Sequence, residues 1–454
     1  MSRRNRDSGN GLLRSALNSG RVSSSNGRST RRDTPRSQRS AQGSIQGSVQ
    51  GSRDVSDDEL ETQSIMSDDT WPLDENDDEV AEIGDDWEEQ LATALDSLNA
   101  KRVSTRERAL QETQQLMSHV YVGDGIAGGR VTLLEALRKC ARSTKSSAES
   151  ERALLVIGLW FVNFGTQAEA EAEFAAVNEQ LRAQTVNEAS SDRVRALAVA
   201  TLGLANFISG ADFHDAAELA RFVQAKVLEP ALTNREAHVA RQAFTTLGLL
   251  LTVVGDSDTG LLESLFDAGF DAHLRGLMAD SVGVRVAAAH NFALVHEALS
   301  ASNQHGTYTF DRHDELVGML EMLRHESSKR HAKRDTTTQR TTARDVLRSI
   351  EEGANPELSL KVCGRSVSFD SWARILRLHA FRAVLGGGLP VHFARNELLQ
   401  DVFEVEFDPD HDEYLRNSAR QVVSPSSELA KMRTRNMRRR RDAHRDAQTF
   451  DDDE

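Results

Sequence analysis

Cysteine is almost missing from this chain: Cys140 and Cys363 are the only two, far apart and without histidines at ligand spacing. That excludes a disulfide framework and a Cys/His zinc site, and it fits a reducing compartment. Aromatic residues are scarce at 5%, and the 39% apolar content is unevenly spread, so only part of the 454 residues can build a core. Length alone allows about three domains of ordinary size. The longest apolar run, Ala153 to Val162, falls well short of the ~20 residues a membrane span needs, so no membrane partner is expected. Arg and Ser open the chain with no apolar h-region, so no secretory signal is expected either. The Arg- and Ser-rich composition of residues 1–53 would suit a transit peptide, but the acidic block that follows argues against one.

Charge of one sign is missing over long stretches. Residues 1–53 contain no Lys, and all their positive charge comes from Arg. From Asp54 to Asp96 there is neither Lys nor Arg. Lys431 to Arg445 is strongly basic around Arg438-Arg439-Arg440-Arg441, and Asp451 to Glu454 is acidic again. The net charge of −15 therefore describes no part of the molecule, and each block has to be read separately. Residues 1–86 lack any apolar period and read as a disordered tail, basic over 1–53 and acidic over 54–86. Two short apolar insertions, Ile65-Met66 and Trp71-Pro72-Leu73, interrupt the acidic part.

What is present, from about Trp87 onward, is a repeat of 45 residues. Ile157-Gly158-Leu159, Leu202-Gly203-Leu204, Leu247-Gly248-Leu249 and Phe292-Ala293-Leu294 share one phase. Val194, Val239 and Val284 share another, as do Ala153, Ala198, Ala243 and Ala288, and Gly165, Gly210 and Gly255. A looser copy, Arg108-Ala109-Leu110, precedes Arg152-Ala153-Leu154 by 44 residues. A fixed period of ~40–47 residues with apolar steps of three and four marks HEAT or armadillo helical repeats. Such units stack because none can bury its apolar face alone. Mid-helix Gly costs ~1 kcal/mol against Ala, so three in phase imply close helix packing, with Gly165, Gly210 and Gly255 expected at C-caps. Ser104-Thr105-Arg106-Glu107 reads as a capping box.

The register breaks at residues 301–313. A short helix from about Asp314 to Leu323 and a basic, apolar-poor stretch from Lys329 to Arg344 come next. From Ala343 to Leu415 the pattern is helix, break at Gly353/Pro356, extended piece, helix, break at Gly386-Gly387-Gly388, helix. After Pro425 nothing breaks a helix, so residues 416–454 read as a basic helix with an acidic end.

Enzyme motifs are not found. Gly123-Asp124-Gly125-Ile126-Ala127-Gly128 matches G-x-G-x-x-G, but helical spacing precedes it where a dinucleotide site needs a strand. There is no H-E-x-x-H, P-loop or nucleophile elbow, and Asp256-Ser257-Asp258 lacks the rest of a calcium loop. No catalytic residue, cofactor, metal or small-molecule substrate is expected. The basic terminus carries the strongest signal outside the repeat. Lys431, Arg433, Arg435, Arg438, Arg439, Arg440, Arg441 and Arg445 are the expected nucleic-acid contacts, with Lys329, Arg330, Lys333 and Arg334 as a secondary basic patch; a nuclear localisation patch and a merely solvated tail are the competing readings of the basic run. Arginine forks engage phosphates bidentately, and such contacts give salt-sensitive, sequence-independent affinity. No aromatic lies among these charges before Phe450, so base stacking is not expected there.

The C-terminal third resembles a known family. Arg344-Asp345-Val346-Leu347-Arg348, Ile350-Glu351-Glu352, Ser371-Trp372, Val384-Leu385-Gly386, Asn396-Glu397-Leu398-Leu399 and Val402-Phe403-Glu404 occur in order. They resemble the C-terminal domain of the interferon-related developmental regulator family, as do Lys329 to Arg334 and Tyr414 to Ala419. The resemblance implies armadillo-like repeats over 87–325, a small family domain over 326–415, and a non-enzymatic adaptor. It further implies association with ribosomes, where a basic helix occupies RNA-lined space, or transcriptional co-regulation through protein partners. Thr336-Thr337-Thr338 and Thr341-Thr342 stand where the family would have more basic residues, which weakens nucleic-acid contact through that stretch.

The combined expectation is an all-α, armadillo/HEAT-like superhelix with a small C-terminal domain and disordered charged ends. Its leading partner is the ribosome and its rRNA, with translation as the regulated process; protein partners on the repeat surface, for a nuclear co-regulator, are the alternative. Localisation is expected in the cytoplasm, the nucleus or both. A karyopherin-type transport adaptor shares the fold class but needs a Trp/Asn ladder, and of four tryptophans only Trp160 lies in the regular repeats.

Overall fold

A computed structural model gives the structure of the protein and describes residues 87–405, apart from 124–128, 167–169, 211, 304–306, 327–331 and 363–364. The expected tail over 1–86 and the basic helix over 416–454 lie outside the described residues.

The 45-residue period is the spacing of one row of long helices. These are α2 (Val103–His119), α4 (Ser147–Phe164), α6 (Asp192–Ser209), α9 (Ala237–Ser257) and α12 (Val282–Ser302). The last four begin 45 residues apart. Shorter helices form a second layer: α1 (Trp87–Leu98), α3 (Arg130–Ala141), α5 (Ala170–Thr185), α7 (Phe213–Phe222), α10 (Thr259–Ala268), α11 (Phe270–Leu277) and α13 (His313–His325). A π-helical turn, Val223–Leu228, joins α7 to α8 (Glu229–Asn234). Each long helix packs on the next, and each short helix backs a long one. The result is an all-α body of helical repeats.

Local chemistry explains where the long helices start. Ser146 and Ser191, 45 residues apart, are N-caps whose hydroxyls accept from the backbone N–H of Glu149 and Val194. Such caps contribute about 1 kcal/mol each. The expected capping box does not form, because α2 starts at Val103 with Arg102 at its N-cap and no side-chain cap bond. Its polar residues instead bridge to the next repeat: Arg106 pairs with Glu149, and the Ser146 hydroxyl donates to Glu107. Gly165 and Gly210 are C-cap residues, whereas Gly255 lies inside α9.

The in-phase glycines divide by what lies beside them. A Cβ on Gly203 would sit 2.3 Å from Thr246 Cγ2, and one on Gly248 would sit 2.5 Å from Asn291 Oδ1. At Gly158 the nearest atom is Val384 Cγ1 at 3.7 Å, an ordinary contact. Next to these glycines runs a polar ladder. Thr201 donates to Leu154 O (2.9 Å), Thr246 to Val199 O (3.4 Å) and Asn291 to Phe244 O (3.0 Å), each across 47 residues. Each rung gives a buried hydroxyl or amide N–H a partner, and leaving such a donor unpaired would cost about 1–3 kcal/mol. Arg195–Glu236 and Arg285–Glu326 clamp later neighbours as Arg106–Glu149 clamps the first.

Helix α9 has the length and apolarity to cross a membrane. Here it packs against α6, α12 and α7 as a core helix.

The row does not stop where the 45-residue phase does. Helix α14 (Lys333–Glu352) stacks on α12 as α12 stacks on α9, but it starts 51 residues after it. The stretch expected to be apolar-poor is thus a helix from Lys333 onward, and Thr338, Gln339, Thr341 and Thr342 are buried in it. Gly353 ends α14 in the left-handed region at φ 65°, where a side chain would be strained. A two-stranded antiparallel hairpin follows, β1 (Leu358–Val362) with β2 (Arg365–Phe369), in the register Leu358↔Phe369. Then come α15 (Trp372–Leu385), a 3₁₀ turn at Gly386–Gly388, α16 (Leu389–Arg395) and α17 (Glu397–Phe403).

Candidate interaction surface

The last described helices turn back across the row they follow. Through α15 and α16 the chain passes the long helices from α12 back to α2, the start of α17 returns to α4, and each is touched at one phase of the repeat. The Glu297 carboxylate on α12 accepts from the Trp372 N–H (2.9 Å). Arg377 donates to Thr252 Oγ1 on α9 (3.1 Å) and pairs with Asp256. The Phe381 ring meets Phe207 on α6 edge-on, with centroids 6.0 Å apart. Asn396 donates to Val162 O on α4 (2.9 Å), and the buried His392 Nε2 lies 3.1 Å from Met117 O on α2. Met117, Val162, Phe207, Thr252 and Glu297 are spaced at 45 residues, so the returning segment reads one position of every repeat.

Packing holds this segment as core rather than as a loose strap. Phe369, Phe381, Phe393 and Phe403 are fully buried and stack about Phe403, with centroids 5.2 to 5.9 Å from it. A Cβ on Gly388 would fall 1.6 Å from Ser118 O, so backbone meets backbone where the 3₁₀ turn crosses α2. Burial of this kind contributes roughly 1.5–3 kcal/mol per large apolar side chain. At the other end, Trp372 Nε1 donates to Ser349 on α14 (2.9 Å).

Burial sets the ionisation of the groups in this seam. It raises the Glu297 carboxyl to about 7, opposed by the Trp372 and Ala373 N–H groups and reinforced by Asp370. It lowers His392 to about 4, and the same effect lowers His273 to about 4 beneath Phe244 and Phe266. Cys140 is buried and pushed up to about 11 by loss of solvent, which leaves it a poor nucleophile.

With the C-terminal halves of the long helices covered, part of their N-terminal halves stays open. A groove of about 320 Å³ lies between α6, α9 and the end of α15. Its floor is apolar, made by Ala200, Leu204, Leu249, Ala383 and Val384. Arg193, His238 and Arg241 stand along it, and none of the residues lining it is a carboxylate or carries a benzene or indole ring. Arg193 also reaches Glu151 on α4 (2.9 Å). Among the described residues, no group of three or more His, Cys, Asp and Glu could hold a metal ion.

The residues singled out in the sequence fall differently. Lys431, Arg433, Arg435, Arg438, Arg439, Arg440, Arg441 and Arg445 lie outside the described residues, as do Lys329 and Arg330. Lys333 opens α14, and Arg334 follows it with an exposed side chain. Gly123 follows α2, and α3 comes next, so a helix stands where a dinucleotide site needs its strand. The sequence reading missed the groove arginines and the seam at Met117, Val162, Phe207, Thr252 and Glu297. The seam positions share a phase but not a residue type, so only the period could have pointed to them.

Much of the chain also matches known proteins. The family model of interferon-related developmental regulator (IFRD) matches residues 59–351, ending one residue short of the end of α14. The chain is 28% identical over 328 residues to Interferon-related developmental regulator 2 of Mus musculus, covering 70% of this chain and 72% of that protein. It is 25% identical over 330 residues to Interferon-related developmental regulator 1 of Mus musculus, and 24% identical over 330 residues to that of Homo sapiens. Each of these two alignments covers 71% of this chain and 72% of the relative.

Proposed function

Because this chain belongs to the interferon-related developmental regulator family, whose named members are regulators rather than enzymes, we propose that it is a non-catalytic adaptor that docks on a large ribonucleoprotein, the ribosome foremost, and regulates translation. The observation that carries this reading is the segregation of charge. Lys431, Arg433, Arg435, Arg438 to Arg441 and Arg445 form a run whose arginine forks suit RNA phosphates, at the end of a chain that is acidic overall. The folded body is suited to presenting such a run, because its long helices stack on one another from α2 to α14 and buried ion pairs join several neighbours. Arg334, exposed near the start of α14, belongs to the secondary basic patch in this reading.

A second reading is favoured by the groove between α6 and α9. Its apolar floor fits a protein segment better than nucleic-acid bases, which supports a nuclear co-regulator acting through protein partners. Sucrose-gradient sedimentation of the tagged full chain, at low and high salt, with and without residues 428–450, separates the two. Co-sedimentation with ribosomes that disappears in high salt or on deletion is the expected result. A chain that stays at the top of the gradient in every condition would leave only the co-regulator reading.

A further inference from the structure

We propose that the groove between α6 and α9 is the docking site for the acidic segment of this same chain, residues 54–86, with Trp71 and Leu73 on its apolar floor. This goes beyond the ribonucleoprotein reading and does not depend on it. Three observations select this occupant.

The first is charge. Arg193 and Arg241 line the groove beside His238, Arg193 sharing its charge with Glu151 (2.9 Å), and residues 54–86 carry Asp and Glu throughout with no Lys or Arg. Complementarity of this kind specifies partner and register more than raw affinity. The second is the floor. Ala200, Leu204, Leu249, Ala383 and Val384 offer apolar surface, and the acidic segment holds Trp71-Pro72-Leu73 between Asp68-Asp69 and Asp74-Glu75. The third is reach. Trp87 opens α1, which packs on α2, and the groove lies between the second and third long helices after α2. At 8–10 Å per helix that is roughly 20–30 Å. The residues between Trp71 and Trp87 can span about 50 Å when extended. A tethered segment of this length acts at an effective concentration of about a millimolar, so even weak docking fills the groove.

The test is binding of a fluorescein-labelled synthetic peptide of residues 64–82 to the full chain, read by anisotropy. Four variants accompany the wild type: one with Asp68, Asp69, Asp74, Asp77 and Asp78 changed to Asn and Trp71 to Ala, and this neutralised chain carrying in addition Arg193→Glu with Arg241→Glu, Arg438 to Arg441 changed to Ala, or Arg241→Lys. The neutralised chain, its own segment disabled, should bind the peptide at least ten-fold more tightly than the wild type. The groove variant should lose that binding, and the four-arginine variant should keep it. Arg241→Lys, which keeps the charge, guards against loss through misfolding and should retain the binding. Equal binding by wild-type and neutralised chains would show an open groove awaiting another protein, and would overturn the proposal. So would binding that depends on Arg438 to Arg441 and not on the groove, or no binding by any chain.

Discussion

Replacing Gly158 and Gly203 with alanine, one at a time, should move stability in opposite directions although the two share a phase of the repeat. Mid-helix alanine is favoured over glycine by about 1 kcal/mol in both cases. At Gly158 nothing opposes that gain, because the new methyl group meets Val384 at 3.7 Å and adds a contact to α15. Gly158→Ala should therefore stabilise the fold by roughly 1 kcal/mol. At Gly203 the methyl group would lie 2.3 Å from Thr246 Cγ2, closer than any real contact. Thr246 is buried and β-branched, and its hydroxyl donates to Val199 O in the inter-helix ladder. It can escape only by leaving its rotamer or by separating α6 from α9. Overpacking of this sort costs about 1–3 kcal/mol, so the net effect should be a loss of about 1 kcal/mol. The two variants should differ by roughly 2 kcal/mol, read from urea unfolding by far-ultraviolet circular dichroism, with midpoints displaced to either side of the wild type. Shifts of the same sign in both variants would refute the argument that helix approach, and not the repeat itself, demands glycine.

Two further outcomes follow from the seam and the clamps. The Glu297 carboxyl, raised to about 7 from 4.5, is protonated more readily in the folded than in the unfolded chain. Folded-state proton binding is therefore in excess between those values, and stability should fall as pH rises from about 4.5 to about 7, by up to about 3 kcal/mol. Glu297→Gln should remove that component and be the more stable form at pH 8; parallel pH profiles of the melting temperature would contradict it. Arg195→Met should cost about 3 kcal/mol, because it strands Glu236 and the Thr185 carbonyl in a clamp whose arginine is 5% exposed. Arg108→Met, at an 81% exposed i,i+4 pair, should leave the thermal melt unchanged within error, and an equal loss at both sites would argue that burial is irrelevant.

The period of the repeat was legible because stacking imposes it. Every long helix must present small residues such as Ala198 and Gly203 to its neighbour, so each repeat writes the same pattern into the sequence. That alone gave the helical-repeat class and the packing role of Gly203 and Gly248, while the breaks at Gly353/Pro356 and Gly386-Gly387-Gly388 marked the alternation of elements beyond it. The family likeness was equally local, resting on short runs such as Asn396-Glu397-Leu398-Leu399. It also included Ser371-Trp372, now seen to cap α15 and to anchor it on Glu297 and Ser349.

What the sequence could not contain were agreements between distant residues of unlike type. Met117 and Val162 offer backbone carbonyls, Phe207 a ring, Thr252 a hydroxyl and Glu297 a carboxylate, so no similarity links them although α15 to α17 meet all five. A carbonyl can serve at any residue, which leaves its position unmarked. Nor does anything local distinguish Arg241, in the groove, from Arg195, in a clamp, since the difference is which helix lies opposite. Local periodicity determined that this chain stacks helices; tertiary structure decided that the last described helices fold back over the stack, and so which face is closed and which is left open.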